Sequence, residues 1–107
     1  MTTVREIFEG MPQTFVPERA VGVNAVIQFD ITGEGGGQWH ADIVDGALSV
    51  IEGLHEKADL TLTASAPDYV AISTGKLNGQ LAFMTGRLKA KGNLALGMKM
   101  QGYFKQP

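Results

Sequence analysis

The stretch VNAVIQFDITGEGGGQWHADIVDGALSVIE, residues 23–52, decides the architecture. From Val23 to Thr32 the odd positions Val23, Ala25, Ile27, Phe29 and Ile31 are apolar, while Asn24, Gln28 and Asp30 face the other way. Only Val26 breaks the alternation. Side chains of a strand point alternately to opposite faces, so this period of two predicts a half-buried strand. Gly33-Glu34-Gly35-Gly36-Gly37 then turns the chain, and Trp39, Ala41 and Ile43 alternate with His40 and Asp42 on the antiparallel return. Asp45-Gly46 is a second hairpin signal, leading to a third strand around Leu48 to Glu52. Three strands in series make a meander.

Upstream, Thr2 or Thr3 can cap a helix whose stripe is Val4, Ile7, Phe8 and Met11, with Pro12 expected to end it. One further turn is expected within residues 15–20, Pro17 lying early where its missing N–H is harmless. Downstream, a polar loop from Gly53 to Lys57 precedes a fourth strand, Asp59-Leu60-Thr61-Leu62-Thr63. The period then changes. Ser65-Ala66-Pro67-Asp68 reads as a capping box ahead of Tyr69, Val70 and Ile72, and Gly75 supplies the stop. Asn78 caps a second short helix carrying Leu81, Phe83 and Met84, which ends at Gly86. Leu88-Lys89-Ala90-Lys91 alternates as a fifth strand with its lysines on one face. Residues 93–100 fit a period of two, but they hold no β-branched residue and Asn93 is a fair N-cap, so a largely apolar helix is expected. The class is α+β, with helices collected on one face of a mostly antiparallel sheet.

A chain of 107 residues suits a single domain spanning 1–107, large enough to fold without staples and with little volume to spare for a cavity. Cysteine is absent, which excludes disulfides and thiolate metal sites. The N-terminus has no apolar run of the length a secretory signal requires. No stretch approaches a membrane span, and YFKQP is not a peroxisomal tripeptide, so the cytoplasm is the expected compartment. The net charge of −2 hides an asymmetry. Up to Asp68, eleven acidic residues stand against Arg5, Arg19 and Lys57, a balance of −8; from Tyr69 onward Lys76, Arg87, Lys89, Lys91, Lys99 and Lys105 meet no acid, a balance of +6. Such polarity favours an anionic partner or internal pairing with the acidic strands, and the whole is not basic enough for nucleic acid.

No catalytic constellation emerges. Gly33 to Gly37 lacks the third glycine of G-x-G-x-x-G and is followed by a strand, whereas a phosphate site needs a helix N-terminus there. Ala71-Ile72-Ser73-Thr74-Gly75 is one substitution from G-x-S-x-G, yet Ser73 falls near the end of a helix, and both histidines precede it, against the hydrolase order. A helix-bonded or solvent-facing hydroxyl is expected. His40 and His55 lack a third ligand nearby and are expected on the surface. Asp42 and Asp45 are explained by a strand and its turn. What remains is apolar: Phe83, Met84, Met98, Met100, Tyr103 and Phe104 crowd the last quarter, either as core or as an adaptable surface for variable ligands.

The ordered segments "DLTLT", "STGKLN", "GQLAFMTGRLKAKGN" and "LALGMKMQ", with the helix start at Pro67-Asp68-Tyr69, resemble the type-2 sterol carrier protein family over Asp59 to Gln101. Upstream the agreement is looser, in an N-terminal helix, a Gly-rich hairpin and a tryptophan opening the second strand. The resemblance implies a five-stranded, largely antiparallel sheet covered on one face by helices, with an apolar tunnel between them. It implies non-catalytic binding and intracellular transfer of fatty acids, acyl chains or sterols, with no cofactor and no metal. Ile27, Phe29, Trp39, Ile43, Leu60 and Leu62 on the sheet, with Leu77, Leu81, Phe83, Met84, Leu94, Met98 and Phe104 from the helices, would line that tunnel. Arg87, Lys89 and Lys91 would meet anionic headgroups or, transiently, an anionic membrane surface. The alternative expectation is an accessory module that presents a hydrophobic metabolite, such as a quinone precursor, or docks to a partner enzyme.

Overall fold

The computed structural model describes residues 2–105. Helix α1 (Val4–Thr14) starts from a reciprocal capping box: the Thr3 side chain accepts from the Glu6 N–H, and the Glu6 carboxylate accepts from the Thr3 N–H. The expectation that Pro12 ends α1 is corrected, because the helix runs on to Thr14. So close to the C-terminus proline removes only one bond of the ladder, and the Phe15 N–H still closes the last turn on the Met11 carbonyl at 3.1 Å. A single 3-10 turn, Pro17–Ala20, with Pro17 first, leads to the sheet.

The meander forms as its pattern demands: β1 (Asn24–Thr32), β2 (Gly37–Val44) and β3 (Ala47–Glu52) pair antiparallel in series. Strand β4 (Leu60–Ser65) then lies parallel to β1 on its other side, and β5 (Leu88–Gly92) pairs antiparallel with β4. The order is β3-β2-β1-β4-β5. Three antiparallel pairings and one parallel make the sheet mixed. The parallel step forces the chain to cross β2 and β1 between Gly53 and Asp59. It does so over the face that carries no helix, where the His55 ring meets that of His40 at 5.1 Å.

This crossing corrects two expectations. Gln28, read as solvent-facing, is 3% exposed, and His40, read as a surface histidine, is 7% exposed. Gln28 ties the crossover down: its Nε2 donates to the carbonyls of Trp39 (3.1 Å) and Gly53 (3.2 Å), and its Oε1 accepts from the His55 N–H at 2.8 Å. A buried amide is tolerable only when satisfied in this way.

The opposite face carries the helices. Helix α2 (Ala66–Ser73) starts from Ser65, whose hydroxyl accepts from the Asp68 N–H at 3.3 Å. Only this half of the expected capping box is formed, since Asp68 turns its carboxylate toward Arg87 instead. Helices α3 (Gly79–Met84) and α4 (Leu94–Met100) take their caps from Asn78 and Asn93, whose side chains accept from the N–H groups of Leu81 and Leu96. The tail returns to α1, where Phe15 and Phe104 form an isolated bridge and their rings meet edge to face at 5.5 Å.

Candidate functional site

The helix-bearing face of the sheet has two halves of different character. Over β1 and β2 it is closed: Phe8 stacks on Trp39 at 4.9 Å and on Tyr69 at 5.1 Å, and meets Phe29 edge-on at 5.1 Å. Ile27, Phe29, Trp39 and Ile43 are all buried there, and Leu60 is buried on the adjoining β4. Of the expected lining residues, these five therefore lie in the solid core. The Tyr69 phenol belongs to the same cluster; burial pushes its pKa well above the ordinary value, and its hydrogen bond to Ser73 opposes that shift only in part.

Over β4 and β5 the same face is open. Register places Leu62 opposite Ala90 and Ala64 opposite Leu88, and Leu62, Leu88 and Ala90 are only partly buried. The helices above this half bury little of themselves, Ala82 alone in α3 and Leu96 alone in α4. Phe83 is 47% exposed, Met84 74% and Met98 78%, and Leu81 and Leu94 are exposed beside them. Five large apolar side chains are thus exposed on these two short helices. Leu77 is half-buried at the entry to α3, and Phe104 is engaged with Phe15.

The helices are short for local reasons. Gly86 adopts φ +82° just past α3, and Gly92 adopts φ +109° before α4, with the Asp59 carbonyl 2.5 Å from where a Cβ would stand. Backbone conformation disfavours a side chain at both positions, and at Gly92 space excludes it as well.

Two clefts lie at opposite ends of the strands. One, of about 230 Å³, is bounded by Ala25, Asp59, Asn93, Leu96, Lys99 and Tyr103. The other, of about 340 Å³, is bounded by Thr32, Thr63, Ser65, Asp68, Arg87 and Lys89. Lys89 and Lys91 face away from the helices, opposite Thr63 and Thr61, and the Arg87 guanidinium lies 4.0 Å from Asp68. The hydroxyls of this second cleft escaped the sequence reading, because only strand register brings Thr63 beside Lys89.

Ser73 and His40 are not assembled into a hydrolytic site. Ser73 ends α2 on the helix side and bonds Tyr69, whereas His40 is on the opposite face, bonded through Nδ1 to Asp42. Among the described residues no group of three metal-ligating side chains converges, and no helix is long and apolar enough to cross a membrane.

A mixed α+β sheet, sealed over one half and covered over the other by short helices with outward-facing apolar side chains, defines a domain of the lipid-binding class. The chain belongs to the SCP-2 sterol transfer family, whose model matches residues 6–105. It is 35% identical over 99 residues to hydroxysteroid dehydrogenase-like protein 2 of Mus musculus, covering 92% of this chain and 20% of that protein. To sterol carrier protein 2 of Homo sapiens it is 38% identical over 88 residues, covering 79% of this chain and 16% of that protein. It thus spans a fifth or less of these two curated relatives. The solution structure of palmitated SCP2L2 from Aedes aegypti has the same fold, with TM-score 0.76, 24% identity, and coverage of 98% of this chain and 97% of that one.

Proposed function

We propose that this domain binds lipids with a long apolar body, fatty acids, acyl chains or sterols, between α3, α4 and the β4–β5 half of the sheet, and carries them without transforming them. The observation that supports this is the asymmetry of the helical face: aromatic packing seals one half, and exposed Leu81, Phe83, Met84, Leu94 and Met98 cover the other. Helix α3, which stops just before positive-φ Gly86, and α4, which starts just after positive-φ Gly92, separate from the sheet at low cost, since each rests on one buried alanine or leucine.

Magnitudes agree with a carrier. Transfer of a sixteen-carbon chain from water releases ~13 kcal/mol gross at ~0.8 kcal/mol per CH₂, and association costs ~4–15 kcal/mol, which leaves micromolar affinity or weaker. Such a complex exchanges readily.

Protein purified without denaturation should release a fatty acid or sterol-sized lipid on extraction, seen by native mass spectrometry, and should bind a fluorescent fatty acid displaceable by unlabelled lipid. Absence of both would overturn the reading. A second reading, presentation of a hydrophobic metabolite to an enzyme, is favoured by the dehydrogenase-like relative, of which the matched stretch makes up only 20%. Stable co-purification with an enzyme, without lipid exchange, would select it.

A further inference from the structure

We propose that strand β3 is the docking edge for a second copy of this chain: two β3 strands pair antiparallel about a two-fold axis through Val50, joining two five-stranded sheets into one. This concerns assembly and does not depend on cargo binding.

The strand order leaves β3 and β5 as the edges of the sheet. The phase of the ladder shows which backbone groups of β3 are free. The Gly53 N–H donates to the Gln38 carbonyl at 2.8 Å, and this pair continues the register that sets Glu52 opposite Trp39. Bonded and non-bonded positions alternate along an antiparallel pair, so Ala47, Ser49, Ile51 and Gly53 bond β2, while Leu48, Val50 and Glu52 aim their N–H and C=O groups outward. Among the described residues no turn, loop or side-chain hydrogen bond takes up those outward groups. Only the other edge is guarded. Strand β5 carries Lys89 and Lys91, charges of the kind that keep edge strands from pairing, whereas residues 47–52 hold no lysine and no proline, and Glu52 is held by Arg5 at 3.0 Å.

Self-complementarity identifies the occupant. About an axis through Val50, Leu48 lies opposite Glu52 of the second copy and Ser49 opposite its Ile51, so each outward residue exchanges both backbone bonds and no like charges face each other. The two Glu52 residues stand ~14 Å apart along the strands, beyond the reach of unscreened repulsion. The same register sets Gly53 opposite Ala47, which carries Leu54, 66% exposed, to the end where Val44 of the second copy is 63% exposed. Pairing β3 with β5 of another copy would instead set Lys89 and Lys91 among Ala47, Ser49 and Ile51 without a counter-charge, and would leave free edges at both ends.

The test is sedimentation of the lipid-free 107-residue chain at concentrations up to about 1 mM, the range in which small interfaces associate. The mass should rise from 11.4 kDa toward twice that and stop there. Ser49 is exposed, so Ser49→Lys should fold as the parent does yet weaken association at least about fivefold, while Lys91→Gln on the opposite edge should leave it unchanged. The chain has no cysteine, so the register can be read directly. Ser49→Cys and Ile51→Cys chains, mixed under mild oxidation, should cross-link faster than either alone, whose thiols would be diagonal neighbours ~7–8 Å apart. A monomer at every concentration, species larger than a dimer, parental association by Ser49→Lys, or cross-linking no faster in the mixture would overturn the proposal. So would association abolished by Phe83→Asp, which would move the contact to α3.

Discussion

Phe8 of α1 and Tyr69 of α2 stack with ring centroids 5.1 Å apart and planes 11° from parallel. The pair joins the two helices that seal the β1–β2 half of the sheet, and Phe8 is fully buried. Phe8→Ala should therefore cost ~3–5 kcal/mol of stability, from lost transfer and the cavity left behind. Urea unfolding checks this, and a loss below ~1 kcal/mol would mean that the seal lies elsewhere.

Burial of Tyr69 has a pH signature. The unfolded phenol ionises near its ordinary value of about 10 while the folded one stays protonated, so above that pH the native state binds more protons. Stability should fall as pH rises past about 10, this residue contributing up to ~1.4 kcal/mol per pH unit. Tyr69→Phe should flatten that part of the alkaline limb in denaturation measured across pH.

Gly92 should not accept a side chain. With φ at +109° and the Asp59 carbonyl 2.5 Å from the added Cβ, Gly92→Ala should cost at least ~1–3 kcal/mol. A thermal melt reads the loss. The same substitution at Gly10, where an added Cβ meets nothing within 4 Å, should lose nothing by steric conflict.

Phe83→Asp separates binding from folding. The side chain is 47% exposed, so the change should move stability by only ~0.5 kcal/mol while weakening fatty-acid binding at least about tenfold. Parallel unfolding and fluorescent fatty-acid titrations check it, and unchanged affinity in a folded variant would remove α3 from the site.

Gln28→Leu should free the crossover. It leaves the His55 N–H and the Gly53 carbonyl without their partner, at ~1–3 kcal/mol, and limited proteolysis should cut faster between residues 53 and 59.

Local chemistry makes much of this protein legible in its sequence. Period-two alternation marks the meander, asparagines at 78 and 93 mark the caps, and glycines at 86 and 92 mark the breaks, because each acts within a few residues of itself. The ordered segments from Asp59 to Gln101 likewise carry the family. The parallel placement of β4 beside β1 could not be read, and with it went Gln28 and His40, which a pattern assigns to solvent until a crossing loop covers them. The same holds for the site. Composition supplies the apolar side chains, but burial alone divides them, enclosing Ile27, Phe29 and Trp39 beneath Phe8 and leaving Phe83, Met84 and Met98 outside. That division depends on which helix covers which half of the sheet, a long-range packing choice that no local period encodes.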